Sequence, residues 1–182
     1  MNEVIKTILD RYSCRDFVPE PITDEQAEAL VKVSLAAPSA MNLQPWHIIA
    51  VKDRGLIDEM DADIMGQVEA QGGDFYKRIM DRGGKPLYNA PFMIIIAKDA
   101  SDAAPLDCGI VSQNIALAAH SMGLASVICG MMRMPLTGEK GEEFTKRLKI
   151  PEGYSFGMAV LIGKPNSGKD PHDLDMNKVT YV

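Results

Sequence analysis

Cysteine is sparse in this chain. Cys14, Cys108 and Cys129 are the only three in 182 residues, they lie far apart, and no CxxC occurs. An odd, scattered set of thiols suggests neither a disulfide framework nor a zinc knuckle. Histidine is equally thin: His47, His120 and His172 show no HExxH or paired-ligand spacing, so no protein-held metal is expected. There is no basic stretch, and the net charge is −6, so nucleic acid is not an expected partner. Long apolar runs are missing too. Stretches such as Phe92 to Ala97 are far too short to span a bilayer, and no membrane partner is expected. The N-terminal stretch MNEVIKTILDRYSCRDF mixes charges into its apolar stripe and lacks the uninterrupted apolar core of a secretory signal. A cytoplasmic address is the expectation.

What is present is an ordinary globular composition, with 46% hydrophobic and 24% charged residues and enough length for one domain with a real core. Val4, Ile5, Ile8 and Leu9 form a helical stripe. Thr23 and Gln26 make a capping box that opens a second helix, with Ala27, Leu30, Val31 and Leu35 on its buried face and Pro38 past its end. His47 to Lys52 reads as a strand, followed by a helix carrying Leu56, Ile57, Met60 and Ile64. Residues 66–90 are Gly-rich and polar with Tyr and Phe interspersed, the pattern of a flexible segment or lid. Phe92 to Lys98 reads as a buried strand. From Cys108 through Gly130 there is no Asp, Glu, Lys or Arg. The helix predicted over 105–122 is therefore buried on most sides, within the chain or against a second copy, and Gly123 is its natural stop. Leu124 to Cys129 reads as a short strand, 139–148 as a polar helix, Phe156 to Ile162 as another strand, and Lys178 to Val182 as a last short one. The absence of a linker or repeat leaves one domain, 1–182, of mixed α and β.

One apparent motif fails on its chemistry. Gly163 to Asp170 nearly matches GxxxxGK[ST] after a strand, but Asp170 replaces the Mg²⁺-binding hydroxyl and sets a negative charge beside the phosphates. The residues that follow lack the apolar stripe of the required helix. No GxGxxG is present, which excludes the dinucleotide fingerprint. Cys14 and Cys129 have no recognisable base partner, and small apolar packing is the reading for both side chains.

Two segments do not look like scaffold. Arg11-Tyr12-Ser13-Cys14-Arg15-Asp16-Phe17 sets two guanidinium forks around a hydroxyl just past a helix end, a donor set suited to phosphate. A solvated basic turn would carry the same residues. Ala37-Pro38-Ser39-Ala40-Met41-Asn42-Leu43-Gln44-Pro45-Trp46 breaks an apolar helix into a loop with two carboxamides. Each offers a donor and an acceptor, as the edge of a heterocycle requires. An amide-capped turn is the plainer alternative.

Taken together, the two segments resemble the N-terminal signature of the nitroreductase family, an Arg-x-Ser-x-Arg/Lys run followed by Pro-Ser-x-x-Asn-x-Gln-Pro-Trp. Weaker resemblances extend along the chain: Tyr88-Asn89-Ala90-Pro91 before the buried strand, Gln113-Asn114 and Met122-Gly123-Leu124 on the central helix, and Gly163-Lys164-Pro165 after the penultimate strand. The resemblance implies an α+β three-layer sandwich. A mixed, mostly antiparallel central sheet would be flanked by helices, and the C-terminal segment would extend onto the partner subunit of a homodimer. It implies FMN as cofactor, NADH or NADPH as electron donor, and a small-molecule acceptor such as a nitroaromatic, quinone or enone. Hydride would pass in ping-pong fashion through flavin N5, and no side chain is implied as catalytic. Arg11, Tyr12 and Ser13 would lie at the FMN phosphate and Arg15 at the N1/O2 edge. Pro38, Ser39, Asn42 and Gln44 would approach from the partner, and the backbone of Cys129 and Gly130 would face N5. The family's basic C-terminal residue falls on Lys178 or Lys169, where a cluster is reduced to isolated lysines among Asp170, Asp173 and Asp175. The same fold also hosts reductive dehalogenation and flavin fragmentation, or a flavin-binding dimer without turnover.

Overall fold

A computed structural model describes residues 1–182. At its centre is a four-stranded sheet of β1 (Trp46–Val51), β2 (Phe92–Lys98), β3 (Ala125–Ile128) and β4 (Ser155–Gly163), in the order β1-β2-β4-β3. All three pairings are antiparallel. The parallel component expected of the sheet is reduced to one isolated bridge, Ser13 to Ser126. β2 is buried along nearly its whole length, which fits its run of Met and Ile in a strand covered on both faces.

The two-residue period of the strands divides the core. Phe92, Ile94, Ile96, Val160 and Ile162 face one side. Met93, Ile95, Ala159, Leu161 and Val127 face the other. The first side is covered by helices α2 (Asp24–Leu35) and α5 (Ala104–Ser121). The opposite side is covered by α3 (Arg54–Gln71), α4 (Gly73–Met80), α6 (Arg133–Thr137) and α7 (Gly141–Arg147). This is the three-layer sandwich that the sequence resemblance implies. Thr23 caps α2 in the expected box, its hydroxyl accepting from Gln26 N–H at 3.2 Å.

Three expectations are corrected. Residues 66–90 are largely helical: α3 runs on to Gln71, and α4 follows after a positive-φ glycine pair, Gly72 and Gly73. Glycines there break one helix from the next without dissolving either. Leu35 lies exposed while Ser34 takes the buried position, its hydroxyl donating back to Leu30 C=O at 2.7 Å. The last strand, 178–182, does not form within this chain. Met176–Lys178 is a 3-10 turn, and the residues after it are exposed and pair with nothing in the chain.

Helix α1 (Glu3–Asp10) keeps its predicted stripe but buries none of it: Val4 is 65% and Ile5 47% exposed. An isolated two-turn helix is marginal in water, so this apolar face needs a cover.

The turn before β2 hangs on Asp61 of α3. Its buried carboxylate accepts Leu87 N–H at 2.6 Å, with Lys85 Nζ at 3.8 Å. Burial raises the Asp61 pKa, outweighing the Leu87 hydrogen bond and Lys85, which lower it. For a carboxyl raised in the folded state, the stability contribution is intact below the ordinary value of 3.8 and lost as pH rises through the raised value. Asp61→Asn keeps the acceptor and sheds the charge. Its melting temperature is expected to exceed that of the wild type at pH 7, with the gap closing as the pH is lowered toward 4. A gap independent of pH in a melting series would contradict this.

Candidate anion and flavin site

The basic run after α1 is pinned on two sides. Cys14 N–H donates to Ser126 C=O at 3.0 Å, extending the sheet beyond β3. Val18 N–H donates to Lys164 C=O, and Asn166 N–H to Asp16 C=O, each at 3.0 Å. Asn166 Nδ2 also donates to the Asp16 carboxylate, and Tyr12 Oη reaches Ser167 C=O. Phe17 is the anchor. It is 1% exposed, its N–H bonds Tyr88 C=O, and it bridges Pro165. A Cβ on Gly163 would lie 2.7 Å from Pro91 Cδ and 3.2 Å from Phe17 Cδ1, so only glycine lets the segment seat this deeply.

With its backbone so held, the run opens a cavity of about 330 Å³ lined by Tyr12, Ser13, Cys14, Arg15, Asp16, Arg82, Ser167, Gly168 and Lys169. Of the two C-terminal lysines, Lys169 lines this cavity. Lys178 lies outside it, 4.0 Å from Asp175. Arg11 borders the run without lining the cavity, and its Nε is buried with no hydrogen-bond partner. An orphaned buried guanidinium donor is costly unless an acceptor arrives. Arg15 and Arg82 hold no carboxylate either, whereas Arg54 and Arg147 do. In a chain with more acids than bases, unpaired arginines gathered at one cavity suit an anionic ligand.

Beside this cavity, β3 ends in Cys129 and the 3-10 turn Gly130–Met132. Cys129 N–H is already used, donating to Ala159 C=O at 2.8 Å. Gly130 opens the turn, so its N–H has no partner within the turn itself. A Cβ there would meet nothing within 4 Å. The free donor of this segment is thus Gly130 alone. The Cys129 thiol is buried, and burial pushes its pKa up despite hydrogen bonds from Met131 and Met132 and the nearby Arg15 charge. That is a packing thiol, not a nucleophile. Cys14 is raised for the same first cause.

The second segment stands apart. Pro38, Ser39, Asn42 and Gln44 do not line the cavity. They lie on an exposed loop whose Met41, Asn42 and Gln44 all have positive φ, at 51°, 55° and 50°. Such non-glycine conformations are strained by about 1–3 kcal/mol each. Ser39 Oγ accepts Gln44 N–H at 2.9 Å, and Gln44 Nε2 donates to Asn42 Oδ1 at 3.0 Å. From below, the fully buried Asp107 of α5 accepts Ala40 N–H at 3.2 Å.

Arg82 and Asp107 carry no sequence signal. Arg82 sits in a stretch read as a lid, far from the basic run. Asp107 immediately precedes the charge-free stretch and looks like an ordinary helix-opening acid.

Comparison with known proteins follows this geometry. The model of the Nitroreductase family matches residues 8–164. A crystal structure of a nitroreductase with bound FMN from Desulfitobacterium hafniense superposes with a TM-score of 0.96 at 45% identity, covering 100% of this chain and 99% of that one. The NADPH-flavin oxidoreductase of Vibrio harveyi is 29% identical over 93% of this chain and 69% of its own length. The oxygen-insensitive NADPH nitroreductase of Salmonella typhimurium is 28% identical over the same shares.

Asp107→Ala leaves Ala40 N–H without its buried acceptor, a loss of about 1–3 kcal/mol. Faster amide hydrogen exchange across residues 40–44 is expected, with Asp107→Asn close to wild type. Unchanged exchange in Asp107→Ala would show that the loop is held by other means.

Proposed function

The chain belongs to the nitroreductase family, and we propose that it is an FMN-dependent NAD(P)H oxidoreductase whose 182 residues form one FMN-binding unit completed by a second copy. The observation that carries this is the cluster of unpaired cations at the Arg11–Phe17 run, headed by the orphaned Arg11 Nε. When bound, FMN supplies the two-electron carrier that takes hydride from NAD(P)H and passes it to an acceptor. The chain's residues position the cofactor and set its electrostatics. Arg11, Ser13 and Lys169, with Tyr12 beside them, offer donors to the phosphate. Arg15, close enough to influence the Cys129 thiol, offers a cation to the ring edge that gains negative charge on reduction. Gly130 N–H offers a neutral donor to N5. The acceptor is a small molecule of the nitroaromatic, quinone or enone kind. The absence of any helix long and apolar enough to cross a membrane and three free, buried cysteines accord with a cytoplasmic site of action.

The homodimer belongs to the same reading. The uncovered face of α1 and a groove of about 270 Å³ between α1 and α5, containing Val4, Leu117 and Ala118, form an apolar surface that a second copy would bury. The Ser39–Gln44 loop is strained and exposed, as a loop completing the partner's site would be. The exposed Val179–Val182 segment and the open edge of β1 support a C-terminal segment that reaches across. Lys178 rides on that segment, so any role for it lies with the partner's site.

Purified protein is expected to be yellow, and stopped-flow mixing with NADH or NADPH should bleach the flavin band. A flavin left oxidised under excess of both rules out the reductase. Val4→Asp with Ile8→Asp is expected to yield a monomer by light scattering, with weakened FMN retention. A variant that remains a dimer would show that the interface lies elsewhere.

A further inference from the structure

We propose that Arg82, at the C-terminal turn of α4, is a phosphate-binding residue of the FMN site; this rests on the reading above. Arg82 lines the same cavity as Ser13, Arg15 and Lys169, although it is about 70 residues away from the basic run in sequence. Its position is fixed by backbone geometry. Arg82 N–H donates to Ile79 C=O at 3.1 Å and Gly84 N–H to the same carbonyl at 3.0 Å, with Gly83 at φ 88°. This closes α4 in a tight glycine turn and aims the residue just past the helix end toward the cavity. Arg82 has no carboxylate partner, while Lys77 on the same helix pairs with the Asp74 carboxylate and Arg78 donates to the Asp74 backbone carbonyl.

Charge balance supports the assignment. The cavity holds the cations Arg15, Arg82 and Lys169 against the single carboxylate of Asp16, a net of two positive charges. A phosphate monoester carries about −1.5 to −2 at neutral pH, and with Arg15 turned to the flavin edge, Arg82 sets a second guanidinium beside the bordering Arg11 and Lys169 against that charge. A guanidinium fork also suits tetrahedral oxygens better than the lone ammonium of Lys169. Because Arg82 closes α4, phosphate bound there also fixes the end of that helix.

The test compares FMN with riboflavin, which lacks the phosphate, by fluorescence titration of the apoprotein. Variants are Arg82→Gln, Arg82→Lys and the control Arg78→Gln. Arg82→Gln is expected to weaken FMN on the order of tenfold or more while leaving riboflavin affinity unchanged. Arg82→Lys should fall between, and Arg78→Gln within twofold of wild type. FMN should also protect the Arg82–Gly83 bond from trypsin in the wild type. An FMN affinity within twofold of wild type in Arg82→Gln overturns the assignment. So does an equal loss for FMN and riboflavin, which would put Arg82 on the ring. If the wild-type apoprotein itself fails to bind FMN, the proposed function fails first, and that result is distinct from either outcome for Arg82.

Discussion

The site depends on the backbone of Cys14 to Val18. This short run is the only part of the N-terminal region tied to both sides of the sheet's end, through Ser126 on one side and Lys164 and Asn166 on the other. Backbone hydrogen bonds in a partly buried strip are hard to exchange for water without leaving groups unpaired. Burying Phe17 adds an apolar anchor of about 1.5–3 kcal/mol. The side chains between the anchors have no freedom to retreat. Arg15 is exposed between the buried Cys14 and Phe17. Gly163 and Pro91, both far away in sequence, matter here because they leave the space in which Phe17 sits.

Electrostatics then follow from what the pinned run lacks. Several cations elsewhere are paired: Arg147 bridges Glu59 and Glu143, Lys52 meets Asp24, and Lys164 meets Glu20. These are mostly exposed pairs, each contributing little to stability, but they show that carboxylates are available across the surface. At the cavity the only carboxylate, Asp16, is held by Asn166 and does not bind the arginines. The field left there is positive in an otherwise acidic protein. This attracts an anion, and it does so without a helix N-terminus or a glycine-rich loop. The near match to a P-loop at Gly163–Asp170 opens no helix, and its Ser167, Gly168 and Lys169 meet the cavity as part of an irregular segment.

How much of this was legible in sequence depended on whether the signal was local. The capping box at Thr23 and the apolar runs of β2 and β4 are local patterns, and they fold as read. Arg11–Phe17 and Pro38–Trp46 are local patterns as well, whose residue types suggest binding chemistry before any fold is known. Residues 66–90 misled because their glycines read as loop, whereas Gly72 and Gly73 only separate two helices. Val179 to Val182 has strand composition, but the segment leaves the body of its own chain and reaches no strand edge there. Arg82 was invisible because its place at the cavity comes from the packing of residues distant in sequence, a tertiary fact. Asp107 was hidden in a similar way: nothing in a helix-opening acid says that it holds a loop 67 residues earlier.

The proposed dimer and the proposed cofactor are not independent. α1 buries nothing within its own chain, and a helix of this length has little stability of its own. Its C-cap is Arg11, the residue whose buried Nε awaits an acceptor. Covering α1 with a second copy would therefore order the guanidinium that meets the phosphate, and the strained Ser39–Gln44 loop would be delivered by the same association. Linkage then runs both ways. If association tightens FMN binding by some factor, FMN tightens association by that same factor, and ligand bound to the native state raises its stability. On this reading the exposed apolar stripe of α1 is part of the cofactor site, although none of its side chains need touch the cofactor.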